Sequence, residues 1–148
     1  MPLQERLLED LRDAMRQRDD LRRSTLRLIR AAIQNEEIAR HEPLDDARII
    51  DILSRIARQH QESITEFLKG NRPDLVEREE AELAIVRQYL PQPLTGQELA
   101  ELARLAIDEV GATGPAELGK VMGRLMPQVR GRADGAEARQ VVSELLES

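Results

Sequence analysis

Few residues in this chain could do covalent chemistry, and their spacing narrows the options further. There are two histidines and no cysteine, so a thiolate metal site, a cysteine nucleophile and a disulfide framework are excluded. None of the patterns GxGxxG, GxxxxGKS, GxxxxGKT, GxSxG or HExxH occurs, which removes the common phosphate-cradling, serine-hydrolase and zinc-protease arrangements. His41 sits beside Glu42 in a broken segment and reads as a solvated side chain. His60 falls on an apolar helical stripe, where a partly buried histidine hydrogen-bonded to a neighbour is the expected role. Glu77, Glu79, Glu80 and Glu82 could ligate a cation or act as an acid–base pair. Glutamates in the first half of a helix are, however, favoured by its dipole. Glu79 and Glu82 lean towards the apolar face and are expected to pair with arginines of neighbouring helices. The expectation is no catalytic residue, no metal and no cofactor.

The distinctive chemistry is cationic. From Glu117 to Gly135 the chain reads ELGKVMGRLMPQVRGRADG, and between Leu118 and Arg132 it carries Lys120, Arg124, Arg130 and Arg132 with no acid. The chain as a whole has a formal net charge of −6, which argues against a generic nucleic-acid binder and restricts any RNA contact to a local patch. Gly119 and Gly123 lie four apart on one side of a short helix, each costing about 0.5–1 kcal/mol relative to alanine. Two explanations stay open at this level. One is tight packing on neighbouring helices, with Met122, Leu125 and Met126 in the core; the other is close approach of another backbone, protein or RNA. The only aromatics, Phe67 and Tyr89, lie in the first part of the chain. The basic segment therefore has no stacking platform and suits phosphates, 2′-hydroxyls and folded shape, as a tRNA offers.

Helices must position these residues. Charged residues make up 34% of the chain and aromatics 1%, a balance that predicts an all-α fold with solvated polar faces and aliphatic cores. The length allows roughly 70% of the unfolded surface to be buried. Leu3, Leu7, Leu8, Leu11 and Met15 predict a first helix running to about Arg18. A second helix, capped by Asp19 or Asp20, places Leu21, Thr25, Leu28, Ile29, Ala32 and Ile33 on one face. Arg23, Arg27 and Arg30 fall within about 60° of one another on its other side, a possible secondary RNA contact. After Pro43, Asp45 or Asp46 starts a third helix carrying Ile49, Leu53, Ile56, His60, Ile64 and Phe67, stopped by Gly70. Pro73 opens a fourth, with Leu75, Leu83, Val86 and Leu90 inward.

The seam is YLPQPLT, since two prolines two positions apart, Pro91 and Pro93, cannot sit inside a helix. It separates a four-helix part of long antiparallel helices, residues 1–90, from a compact three-helix bundle, residues 95–148. Thr95 and Glu98 form a capping box for the fifth helix, which bears Leu99, Leu102, Ala106 and Val110 and ends at Gly111. Pro115 opens the sixth, which ends near Gly131. Asp134 and Glu137 precede a last helix bearing Val141, Val142, Leu145 and Leu146. The first fifteen residues mix charge with leucine, and no segment approaches a membrane span. Together with the absence of cysteine this predicts a cytoplasmic protein without a membrane partner.

LGKVMGRLMPQVRGRADG, followed by a helix ending VVSELLES, resembles the tail of the GatB/YqeY family. STLRLIRAAIQNEEI and QESITEFLKGNRPDLVEREEAELAIVRQYLPQPLT extend the resemblance to its free-standing YqeY-like members over essentially the whole chain. In larger relatives the unit is the C-terminal portion of the B subunit of the glutamine-dependent tRNA amidotransferase, where it contacts the body of the tRNA while chemistry occurs in a separate cradle. The resemblance implies a module that binds tRNA or another structured RNA through Lys120, Arg124, Arg130 and Arg132. Gly119, Gly123 and Gly131 would permit close approach. This chain has no cradle, so the implied role is an accessory to translation or tRNA amidation that does not act on DNA. Carbon–nitrogen ligase activity, with glutamine as amide donor, would arise only within a larger complex. Asp134, where amidotransferase tails tend to have asparagine, suits a helix cap and not a phosphate contact. The rival reading is a protein-interaction adaptor that uses the same basic patch.

Overall fold

Short polar residues start most of the helices, each preceding an apolar period. Asp19 accepts from the Arg22 N–H and Asp45 from the Arg48 N–H, each satisfying one of the orphan donors of a helix N-terminus. The computed structural model describes residues 1–148, and its regular elements are all helical. They are α1 (Leu3–Arg16), α2 (Asp20–Arg40), α3 (Asp46–Lys69), α4 (Pro73–Arg87), α5 (Gly96–Val110), α6 (Leu118–Val129) and α7 (Gly135–Glu147), with a 3₁₀ turn at Pro115–Glu117 before α6. The chain divides into two units, Met1–Leu90 and Pro91–Ser148. No helix is long and apolar enough to cross a membrane.

In the first unit, Leu3, Leu7, Leu11 and Ala14 of α1 meet Leu26, Ile29 and Ile33 of α2 and Ile49, Ile52, Leu53 and Ile56 of α3 in one aliphatic core. Val86 and Tyr89 close it. Two details depart from the periodic expectation. Leu26 is fully buried and Leu28 is 55% exposed, because α2 packs against α1, α3 and α4 together and its buried face is turned accordingly. Met15 is likewise exposed and Ala14 takes the core position. The stop after α3 is also shifted by one residue. Gly70 has an ordinary negative φ, whereas Asn71 takes the left-handed conformation at φ 53°, which asparagine tolerates better than most residues.

Polar groups tie this unit across its helices. The Leu3 N–H donates to Asp46 Oδ1 at 3.1 Å, and Glu37 Oε2 accepts from Gln4 Nε2 at 2.9 Å and from the Leu44 N–H at 3.0 Å. The Tyr89 hydroxyl donates to Asp10 at 2.5 Å, Arg6 lies over its ring at 4.7 Å, and Arg22 reaches both Asp10 and Asp13. Burial, then the bond to Asp10, pushes the Tyr89 phenol above its ordinary range.

The second unit has a smaller core: Leu99, Ala103 and Ala106 of α5, Val121, Leu125 and Val129 of α6, and Ala138, Val142 and Leu146 of α7. Thr95 and Glu98 form the full capping box at the start of α5. Gly111 ends that helix at φ 67°, where a side chain would be strained. Asp134 occupies the position before α7, but its carboxylate makes no capping bond, so the expected side-chain cap is absent. The connector is fastened within this unit: the Leu94 N–H donates to the Arg132 carbonyl at 2.8 Å, and Arg132 Nε donates to the Gln92 carbonyl at 3.0 Å.

Candidate nucleic-acid interface

The sixth helix presents two contrasting faces. Val121, Leu125 and Val129 are fully buried, with Met122 and Met126 packed partly against the same core. Gly119, Lys120, Gly123, Arg124 and Pro127 are exposed. A Cβ built on Gly119 or Gly123 would meet nothing within 4 Å, so neither glycine lets another helix of its own unit pack closely. The packing explanation left open by the sequence is thereby removed. Each glycine still weakens the helix by about 0.5–1 kcal/mol relative to alanine.

Pro127 lies on the same side of α6, four residues beyond Gly123 and eight beyond Gly119. It has no N–H to give the Gly123 carbonyl, the acceptor it would otherwise serve in the helix. An exposed stripe with almost no side chain is thus flanked by cations. Lys120 is exposed and makes no ion pair. Arg124 donates through Nε to Glu109 of α5.

The remaining expected contacts serve the turn after α6. Arg130 is exposed at the helix end, and Gly131 adopts φ 75°, so the turn itself accounts for a glycine there. Arg132 is half-buried and holds the connector through its Nε and its carbonyl. On α2 the arginine stripe is divided in use. Arg23 pairs with Asp20 at 2.8 Å, Arg27 is exposed, and Arg30 is half-buried and lines a small cavity with Gln4, Leu7, Ile33, Gln34 and Glu37.

A second group of polar residues lies between α3 and α4. His60, only 8% exposed, places Nδ1 2.5 Å from Glu79 and 3.8 Å from Glu82. The donor atoms of the three lie within 4.8 Å of one another. Two ligands of one tetrahedral ion, each about 2.0–2.1 Å from it, stand roughly 3.3 Å apart, so the His60–Glu79 contact has the length of a hydrogen bond and not of shared coordination. The group is a hydrogen-bonded strut, as expected for His60. The glutamates differ from expectation: Glu79 bonds the histidine and Glu82 pairs with Arg78 of its own helix.

Comparison with known proteins gives a consistent picture. A family model described as Yqey-like protein matches residues 4–146. Curated relatives are named Altered inheritance of mitochondria protein 41, mitochondrial. That of Lachancea thermotolerans is 47% identical over 87 residues, which is 58% of this chain and 46% of the relative. That of Eremothecium gossypii is 37% identical over 123 residues, 80% of this chain and 67% of the relative. That of Pyrenophora tritici-repentis is 33% identical over 134 residues, 89% of this chain and 74% of the relative. The matches with the first two thus span about half and two thirds of those proteins' lengths.

The mitochondrial names overturn the expectation of a cytoplasmic protein. The features behind that expectation, no cysteine and no membrane span, fit either compartment and do not discriminate between them. The resemblance carried by the motifs is upheld at family level, and a match over nearly the whole chain means that this chain belongs to the YqeY-like family.

Proposed function

We propose that the chain is a binding module for tRNA or another folded RNA, gripping the sugar–phosphate backbone along α6 and contributing no catalytic group. The single observation that carries this is the open space over Gly119 and Gly123. Two glycines that weaken a twelve-residue helix and serve no neighbour in the chain need an offset from outside it. A ligand backbone that comes closer than a Cβ would allow supplies one. Lys120 and Arg124 flank the stripe at the right reach for phosphates. The Gly123 carbonyl, denied a donor by Pro127, suits a 2′-hydroxyl. Arg130 adds charge at the helix end, Arg132 acts by shaping the turn, and Arg27 is the best placed of the three α2 arginines for a secondary contact. The four-helix and three-helix parts fold as separate units in this proposal. Any amide transfer from glutamine is the work of a partner protein.

The test is a pair of measurements on Gly119→Ala/Gly123→Ala. Its thermal stability should rise, by about 0.5–1 kcal/mol per site, because nothing clashes and alanine is the better helix former. Its affinity for bulk tRNA should fall. Wild-type affinity should drop with salt, log affinity against log salt falling by roughly 0.7–0.9 per phosphate contact. Lys120→Ala should lower that slope by about one. An adaptor for proteins predicts instead no tRNA affinity at low salt, and that result would end the RNA proposal.

A further inference from the structure

We propose that Glu109 is a built-in competitor for the RNA phosphate at Arg124, a positioning residue that sets how tightly the α6 patch binds; this rests on the RNA proposal above. The basic run is free of acid only along the sequence. In the fold, α5 brings Glu109 against Arg124, whose Nε–H donates to its carboxylate. Both side chains remain about half exposed, 57% for Arg124 and 43% for Glu109. A phosphate arriving from solvent can therefore reach the pair, and an exposed pair of this kind is weak enough to be exchanged.

A guanidinium offers a rigid fork of donors. With one donor held by Glu109, the phosphate either takes the remaining nitrogens with a carboxylate nearby or displaces that carboxylate. In both cases two anions stay within a few ångströms, where like charges repel even in water and more so at low salt. Lys120, one turn earlier on α6, carries no such acid. The two cations that flank the glycines thus differ: Lys120 is available outright, and Arg124 is available only to an anion that outcompetes Glu109. An RNA that engages Lys120 and Arg124 together can do so, whereas an isolated anion at Arg124 gains little over the carboxylate already there.

The experiment uses the full chain and bulk tRNA at low and moderate salt. Glu109→Gln should bind roughly three- to tenfold more tightly than wild type. Asp108→Asn, an exposed neighbour making the same change in net charge, should change affinity less than twofold. In an Arg124→Ala background the Glu109→Gln gain should shrink to that of Asp108→Asn, and Glu109→Asp should retain most of the wild-type restraint. Helical signal checks that each variant is folded, with Glu109→Ala as a second neutral replacement. If wild type binds tRNA yet Glu109→Gln binds no better than Asp108→Asn, or its gain survives without Arg124, the role of Glu109 is refuted and the RNA proposal stands. If wild type fails to bind tRNA at low salt, both fall.

Discussion

The two units use their polar residues in opposite ways. In Met1–Leu90 the buried or half-buried polar groups face one another: Tyr89 with Asp10, Arg22 with Asp10 and Asp13, His60 with Glu79, Glu37 with Gln4 and Leu44. In Pro91–Ser148 the core is wholly aliphatic, polar fastening lies at the surface, in the capping box, the connector and the Glu109–Arg124 pair, and α6 leaves glycine and charge in solvent. Arg22 and Arg23 are engaged within the first unit, whereas Arg27 remains exposed. The unit with the smaller core presents Lys120 and Arg124 beside bare backbone, so under the RNA proposal stability and binding are drawn from different parts of the chain.

The largest expected effect is Leu99→Ala. It removes a fully buried leucine from the smaller core and should destabilise by about 2–5 kcal/mol, enough to abolish the second unit's melting transition and its tRNA binding. The transition of Met1–Leu90 should not move. A shared shift of both transitions would break the contrast and the independence of the units. A fragment of Pro91–Ser148 should melt cooperatively. One starting at Thr95 should be weaker, since it lacks the Leu94 and Gln92 bonds to Arg132.

Tyr89→Phe comes next. It strips the hydroxyl from Asp10 and should cost about 1–3 kcal/mol, in the first transition alone. The sign with pH follows from the raised phenol: its contribution is whole below the ordinary tyrosine range, near pH 10, and is lost as pH rises through the folded value. Alkaline titration should therefore soften the first unit preferentially.

Thr95→Ala should cost about 1 kcal/mol, in the second transition. Its partner Glu98 accepts from the Thr95 backbone N–H and side-chain group, which holds its carboxyl below the usual range. That contribution is present above the ordinary glutamate range and fades as pH falls through the folded value, so Glu98→Gln should flatten part of the acid dependence of the second transition. Smallest of all, Arg27→Glu on the exposed face of α2 should stay within about 0.5 kcal/mol. If it weakens tRNA binding as much as Lys120→Ala, the first unit shares in binding and the contrast must be redrawn.

Local signals were legible and cross-helix ones were not. Asp19, Asp45, Thr95 with Glu98, Pro73 and Gly111 all act within one turn of their own position, and residue type and spacing suffice to place them. The buried side of α2 was misjudged at Leu28 because three neighbouring helices decide it. The pairing of Glu109 with Arg124, fifteen residues apart, and of Gln92 with Arg132, forty apart, depends on how helices return on one another. Asp134 shows the reverse error: a residue of the right type at a helix start whose carboxylate caps nothing there. The glycines were visible from the outset, but only the open space around them speaks against a packing role within the unit.

The chain contains one tyrosine and no tryptophan, and that tyrosine is buried with its hydroxyl on a carboxylate in the first unit. Near-ultraviolet tyrosine absorption and emission therefore report on Met1–Leu90 alone, while Pro91–Ser148 is optically silent at those wavelengths. Ligand titrations followed through Tyr89 will miss an event confined to α6. A tryptophan placed at exposed Leu105 on α5, one turn before Glu109, would give the second unit its own spectroscopic window.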